Sequence, residues 1–332
     1  MKRKGLFFLS LLLLFSSQLL KAQLETCNLV ITDGIQNERL KQTIEKNVSD
    51  FITACNTAVV KGGQPNVNKQ TTTDDARKSL LDIWKNSPIG CSVSTLERKC
   101  LVRSVGGYQI RDIPVTMFDD EEEKRNQEIV INLTNDGRVD DILVPITQYT
   151  DLLYNHIDAE DLDLRARVLD FVEEFRTSYN KKDIKYLGTF FSENAIIIVG
   201  KELKEIKQPK SDVAPNYSLP SNKRKMFEYS VKTKKEYLAS LANTFKNNKY
   251  IDVQFDDIKV IRHPSLEFPV YGVTLKQNWR SSTYMDTGYV FLLIDFTDIS
   301  KPIITVRTWQ PEKYDGRELQ PDEIFKLGDF VK

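Results

Sequence analysis

The chain has 332 residues, of which 40% are hydrophobic and 28% charged, enough to build two domains with cores of their own rather than a disordered tail. Lys and Arg total 47 and so do Asp and Glu, and a chain without excess positive charge lacks the counterion-replacing surface of a general nucleic-acid binder. Two His and four Cys are too few for a His-rich metal site or a zinc ribbon, and no phosphate loop or dinucleotide fingerprint occurs, so no cofactor or metal is expected.

Residues 1–22 have the three parts of a secretory signal peptide. Lys2, Arg3 and Lys4 form a basic start, Leu6 to Phe15 are apolar except for Ser10, and Ala22 suits the position before a cleavage. The apolar run is shorter than the ~20 residues that span a bilayer. Cleavage would remove four basic and no acidic residues, leaving a mildly acidic chain exported to the periplasm or cell surface. No later stretch reads as a membrane span.

Cys27, Cys55, Cys91 and Cys100 all fall in the first third of the chain, and an exported protein can pair them. Sequence leaves three pairings open. Cys91 and Cys100 are near enough for a local bridge, Cys55 sits on an apolar helix face where a buried thiol is equally reasonable, and one bridge is favoured over two.

Apolar residues at three- and four-residue steps predict a helix over 37–59, closed by Gly62 and Gly63, and a second over 73–85 capped by Thr73 or Asp74. Strand patterns follow at 99–105, 108–118, 128–133 and 139–146. Asn135-Asp136-Gly137 supplies the positive φ angles of a hairpin turn between the last two. The acidic run 119–123 reads as an exposed turn. A connector over 149–165 carries Asp158, Glu160, Asp161 and Asp163. It lacks the central Gly and distal Glu of a calcium loop, so these read as carboxylates at a helix start.

The second half predicts helices over 164–180 and 183–191, a strand over 195–199, and a Lys- and Pro-rich loop over 201–232. A helix over 233–247 and four long strands over 251–262, 268–280, 284–296 and 302–309 complete it. Helices first and a strand meander afterwards define an α+β fold with helices packed on one face of a curved antiparallel sheet.

The segment 168–200, VLDFVEEFRTSYNKKDIKYLGTFFSENAIIIVG, resembles the opening of the NTF2-like superfamily, which includes SnoaL-like proteins and ketosteroid isomerases. Asn180 and Asp183 match its Asn-x-x-Asp helix end, and Leu187, Phe190 and Phe191 its Leu-x-x-Phe-Phe element. The stretch GYVFLLIDFTDISKPIITVRTWQP looks like exported NTF2-like proteins of Bacteroidetes-type bacteria. The resemblance covers about 166–310 and implies a cone, a bent sheet around helices with a pocket at its open end. It also implies that the sheet face can pair two copies into a homodimer. Aligning 129–146 with 292–309 suggests that residues 27–148 are a degenerate copy of the NTF2-like domain at 166–332, two tandem domains in all.

Strand alternation groups Tyr289, Phe291, Leu293 and Asp295 on one face, and sets Trp279 and Arg307 on neighbouring strands. These give the candidate ligand contacts Trp279, Tyr289, Phe291, Asp295 and Arg307, with Asp295 and Arg307 as an adjacent-strand pair and Asp295 as the polar point. No catalytic residue is assigned: His263 precedes a proline at a strand end and His156 lies in the connector. The basic residues Lys223, Arg224, Lys225, Lys232, Lys234 and Lys235 read as a solvated loop and helix start. The expected function is non-enzymatic binding of a small apolar ligand or an envelope protein. The alternatives are a SnoaL- or isomerase-like enzyme acting on an apolar substrate, and a structural envelope component.

Overall fold

The computed structural model describes residues 24, 26–103, 106–118, 125–146, 162–202, 227–264 and 269–330. The signal-peptide pattern, the acidic run 119–123, His156, the connector residues Asp158, Glu160 and Asp161, and most of the 201–232 segment with Lys223, Arg224 and Lys225 lie outside the described residues, while Asp163 falls in the first turn of a helix that begins at Leu162. The chain divides into two compact units, residues 1–145 and 146–332. Each is α+β, with helices against a mixed sheet.

The first unit runs β1 (Asn28–Asp33), α1 (Glu38–Lys61), α2 (Asp74–Asn86), β2 (Ile89–Gly90), β3 (Thr95–Val102), β4 (Tyr108–Met117), β5 (Arg125–Leu133) and β6 (Val139–Leu143). Its sheet order is β1-β3-β4-β5-β6, with β2 paired to β4. All pairs are antiparallel except β1 with β3. Asn37 caps α1 and Thr73 caps α2. Gly137, at φ 82° in the hairpin between β5 and β6, is required twice over. Its angle excludes most side chains, and a Cβ there would come within 2.9 Å of Ile44 on α1.

Strand β1 was not evident from sequence. It contributes only Leu29 and Ile31 to the core, and its outer edge is satisfied by side chains rather than by another strand. The backbone N–H groups of Cys27, Leu29 and Ile31 donate to Thr53 Oγ1 (3.1 Å), Ser49 Oγ (2.8 Å) and Glu45 Oε1 (2.7 Å) of α1.

The second unit runs α3 (Leu162–Asn180), α4 (Ile184–Thr189), β7 (Phe191–Glu202), β8 (Phe227–Lys232), α5 (Lys234–Asn247), β9 (Ile251–Arg262), β10 (Val270–Ser281), β11 (Met285–Asp295) and β12 (Ile303–Pro311). Its sheet order is β8-β7-β12-β11-β10-β9, antiparallel except for the β7–β12 pair. The loop expected over 201–232 is corrected at its end, where Phe227–Lys232 pairs with β7 from Ile197 to Glu202. Register shifts at Thr274/Lys276 and Leu293/Ile294 are bulges, and bulges bend a sheet.

The residues that carried the family resemblance have structural work to do. Asn180 Oδ1 accepts from Val253 N at 2.8 Å, tying the end of α3 to β9. Asp183 caps α4 by accepting from Tyr186 N at 2.9 Å. Phe190 and Phe191 join Phe171, Phe175 and Tyr179 in an edge-to-face aromatic core between α3 and the sheet.

The opposite face of this sheet is covered by the chain itself. After β12 come the short strands β13 (Lys313–Tyr314) and β14 (Arg317–Glu318) and a 3-10 turn (Leu327–Asp329). Phe325 is fully buried against Ile198 and Phe291, and Phe330 stacks on Phe291 with centroids 5.1 Å apart. Gln310 anchors this segment, accepting from Phe325 N at 2.8 Å and donating to Tyr229 Oη at 3.0 Å.

Candidate ligand pocket

The inner face of β11 carries Val290, Leu292 and Ile294, which pack on the helices. Continuing that alternation toward the strand start brings Gly288 and Asp286 onto the same face. Residues Gln277 and Trp279 of β10, Arg307 and Trp309 of β12, Val199 of β7 and Tyr237, Leu241 and Thr244 of α5 meet them. With Asp286 these residues line a cavity of about 620 Å³, with Lys201, Lys232 and Tyr284 also in its wall.

The aromatic part is held from behind. Tyr179 meets Trp279 edge to face with centroids 5.9 Å apart, and Trp279 stands directly opposite Asp286 in the β10–β11 register. Gly288 is the floor under Trp309: a Cβ there would lie within 2.9 Å of the indole. Leu241 adds an apolar wall from α5.

The polar part centres on Arg307, only 4% exposed. Its guanidinium lies over the Tyr237 ring, 5.1 Å from the centroid, and bonds to the Tyr179 hydroxyl. Tyr179 and Tyr237 share a 2.6 Å hydrogen bond between hydroxyls. Burial disfavours the Arg307 cation, but Tyr237, Tyr179 and Asp286 more than offset this, so the group stays charged. Burial also raises the Tyr179 hydroxyl, keeping it neutral. The Asp286 carboxyl is raised as well: burial outweighs the Tyr284 hydroxyl and the Arg307 charge that favour its ionised form.

Three buried polar atoms in this wall have no hydrogen-bond partner: Arg307 Nε, Trp309 Nε1 and Asp286 Oδ1. Leaving a buried donor or acceptor unmade costs about 1–3 kcal/mol, so three at one cavity is an expensive arrangement for a purely structural wall.

Of the residues expected from sequence, Trp279 and Arg307 line the cavity. Tyr289, Phe291 and Asp295 do share a face, but it is the outer one, and they do not line the cavity. Phe291 is packed under Phe330, Tyr289 lies against the cluster around Phe227 and Leu319, and Asp295 Oδ1 accepts from Thr297 N at 2.8 Å in an exposed turn. Asp295 and Arg307 are not neighbours either: Arg307 stands opposite Leu292, and Asp295 opposite Ile303. The carboxylate of the cavity is Asp286, three residues before Tyr289 on the opposite face of β11. His263 is buried at the end of β9, its backbone N–H bonded to Val270 O at 2.9 Å.

In the first unit all four cysteines are buried free thiols. Cys91 and Cys100, the near pair in sequence, are not the ones in contact: the Cys27 and Cys91 thiols hydrogen-bond each other. Asn56 fixes Cys91 by donating to its carbonyl and accepting from its N–H, both at 2.8 Å. Burial pushes the Cys55 thiol up to about 12 and Cys100 to about 11. The Cys27 bond lowers Cys91 to about 7, while Cys27 is raised. Among the described residues no group of three or more His, Cys, Asp or Glu could hold a metal ion, and no helix is long and apolar enough to cross a membrane.

No protein-family model matches the chain, and no curated protein does. Solved structures that overlay on it include NTF2-like proteins. A candidate dehydratase of the NTF2-like family from Streptomyces avermitilis is 14% identical, with 46% of this chain and 98% of that one covered at a TM-score of 0.32. An NTF2-like protein of unknown function from Pseudomonas putida is 6% identical, with 47% and 93% covered at 0.32. Bd1075 from Bdellovibrio bacteriovorus is 16% identical, with 52% of this chain covered at 0.32, and the match spans 47% of that protein's length.

Proposed function

We propose that the second unit is an NTF2-like binding cone, and that the protein is exported and takes up a small apolar molecule without converting it. The observation that carries this reading is the 620 Å³ cavity, where Trp279, Trp309 and Leu241 supply an apolar wall beside unpartnered polar atoms. Pockets of this size, mostly apolar with a few placed polar groups, suit small ligands. Export rests on the basic, apolar and small-residue pattern of residues 1–22. Calorimetric titration of the full chain with the neutral fluorophore N-phenyl-1-naphthylamine tests the binding reading. Saturable one-to-one binding that Leu241→Trp abolishes by filling the cavity is expected; absence of saturable binding would overturn it.

A second reading, an enzyme of the isomerase kind, has one observation in its favour. The raised Asp286 carboxyl, in contact with the Tyr284 hydroxyl, is of the type that moves protons in apolar sites. Incubation with a β,γ-unsaturated cyclic ketone separates the two. Absorbance of the conjugated enone, lost in Asp286→Asn, would favour the enzyme; recovery of unchanged ketone favours binding alone.

A further inference from the structure

We propose that the molecule taken up by this cavity is an apolar acid, its carboxylate held by Arg307 and Trp309 and its hydrocarbon body laid on the aromatic wall. This rests on the binding reading above and adds the chemistry of the ligand's polar end.

Arg307 and Trp309 are two residues apart on β12 and therefore point to the same side of the sheet. Each presents a buried N–H without an acceptor, Nε of one and Nε1 of the other. Both atoms are donors only, so what satisfies them must accept. The guanidinium is held in place by Tyr179 and Tyr237, so a ligand meets a donor already oriented.

The charges of the wall have the same sense. Arg307, Lys201 and Lys232 are cationic liners, and Asp286 is the one acidic liner among the described residues. Its charge is opposed by burial, which leaves the positive side dominant. A neutral acceptor such as a ketone could accept from these donors but would leave the cavity's charge uncompensated. A carboxylate offers two acceptor oxygens and the compensating charge, and hydrogen bonds between charged partners are roughly twice as strong as neutral ones.

The test uses two probes of nearly equal shape, 2-naphthoate and 2-naphthamide, titrated calorimetrically into the full chain. Naphthoate is expected to bind about tenfold more tightly. Arg307→Met should erase that preference. Should this variant fail to fold, Trp309→Phe keeps an aromatic ring and removes only the N–H. It should weaken naphthoate several-fold and naphthamide less. Equal affinity for the two probes overturns the acid while leaving the binding reading intact. Binding of N-phenyl-1-naphthylamine with neither naphthalene probe bound also overturns the acid alone. If none of the three binds, both readings fall.

Discussion

Asp286 and Asp295 are both carboxylates on β11, nine residues apart and on opposite faces, and only one of them meets Arg307. The sequence pattern separates the two faces of this strand but leaves open which one packs on the helices. The mixed face of Tyr289, Phe291, Leu293 and Asp295 is the more suggestive in sequence. Its aromatic residues are explained by the C-terminal segment that covers them. The signal that identifies the inner face is the uniformly aliphatic set Val290, Leu292 and Ile294, and extending it backwards reaches Asp286.

The raised Asp286 carboxyl makes a pH prediction. The group binds its proton more tightly in the folded than in the unfolded chain, where the ordinary value is 3.8. Its contribution to stability is therefore full below that value and is lost as pH rises through the folded pKa. Asp286→Asn removes this titration. The variant should gain stability relative to wild type as pH rises from 4 toward 9 in thermal scans followed by circular dichroism, and a difference that does not vary with pH would contradict this.

Cys27 and Cys91 make a second prediction at this scale. Refolding in oxidised glutathione should join these two, with the Cys91 thiolate attacking the glutathione disulfide and Cys27 then displacing the second glutathione as thiolate. Peptide mapping without reductant should find the Cys27–Cys91 peptide pair, two hydrogens lighter. A Cys91–Cys100 link, or four free thiols, would contradict it.

Among the elements, the long helices and the four-strand meander of each unit were legible because their apolar periods are long. Strands β1 and β8 were not. In β8 the residues Phe227 to Lys232 follow a Lys- and Pro-rich stretch whose composition hides them. In β1 the partner is a helix edge: Glu45, Ser49 and Thr53 recur every fourth residue, which reads as a solvated stripe. Four helical residues advance about 6 Å and two strand residues about 6.7 Å, so the stripe keeps step with alternate N–H groups of the strand. This also protects an edge that would otherwise be open to pairing. Ser49→Ala leaves the Leu29 N–H unsatisfied and should cost roughly 1–2 kcal/mol in urea unfolding. Adding Thr53→Ala should cost more, whereas Ala at Thr57, one turn beyond the last bonded N–H, should change little.

On the scale of the whole molecule, each unit has a helix followed by a four-strand meander, α2 with β3 to β6 and α5 with β9 to β12. The units differ in where a parallel strand joins the meander. In the first, β1 lies parallel to β3, at the start of the meander; in the second, β7 lies parallel to β12, at its end. The resemblance led to the expectation of a homodimer through the sheet face, yet much of that face in the second unit is occupied by residues 312–330 of the same chain. Deleting 319–332 should expose Ile198 and Phe291 and make the protein self-associate, read as an earlier elution in size-exclusion chromatography. A truncated chain that stays at the elution volume of the full one would contradict this.

The claim that the cavity of the second unit is the binding site is tested most directly by the indole N–H signals in a proton–nitrogen correlation spectrum. The chain has three tryptophans, and the two in the cavity wall are Trp279 and Trp309. Trp84, in the first unit, already donates to Gly63 O at 2.9 Å. On titration with 2-naphthoate the signals of Trp279 and Trp309 should move, with Trp309 shifting downfield as its free N–H gains an acceptor, while Trp84 stays in place. Movement of Trp84 alone, or of none of the three at saturating probe, would contradict the account.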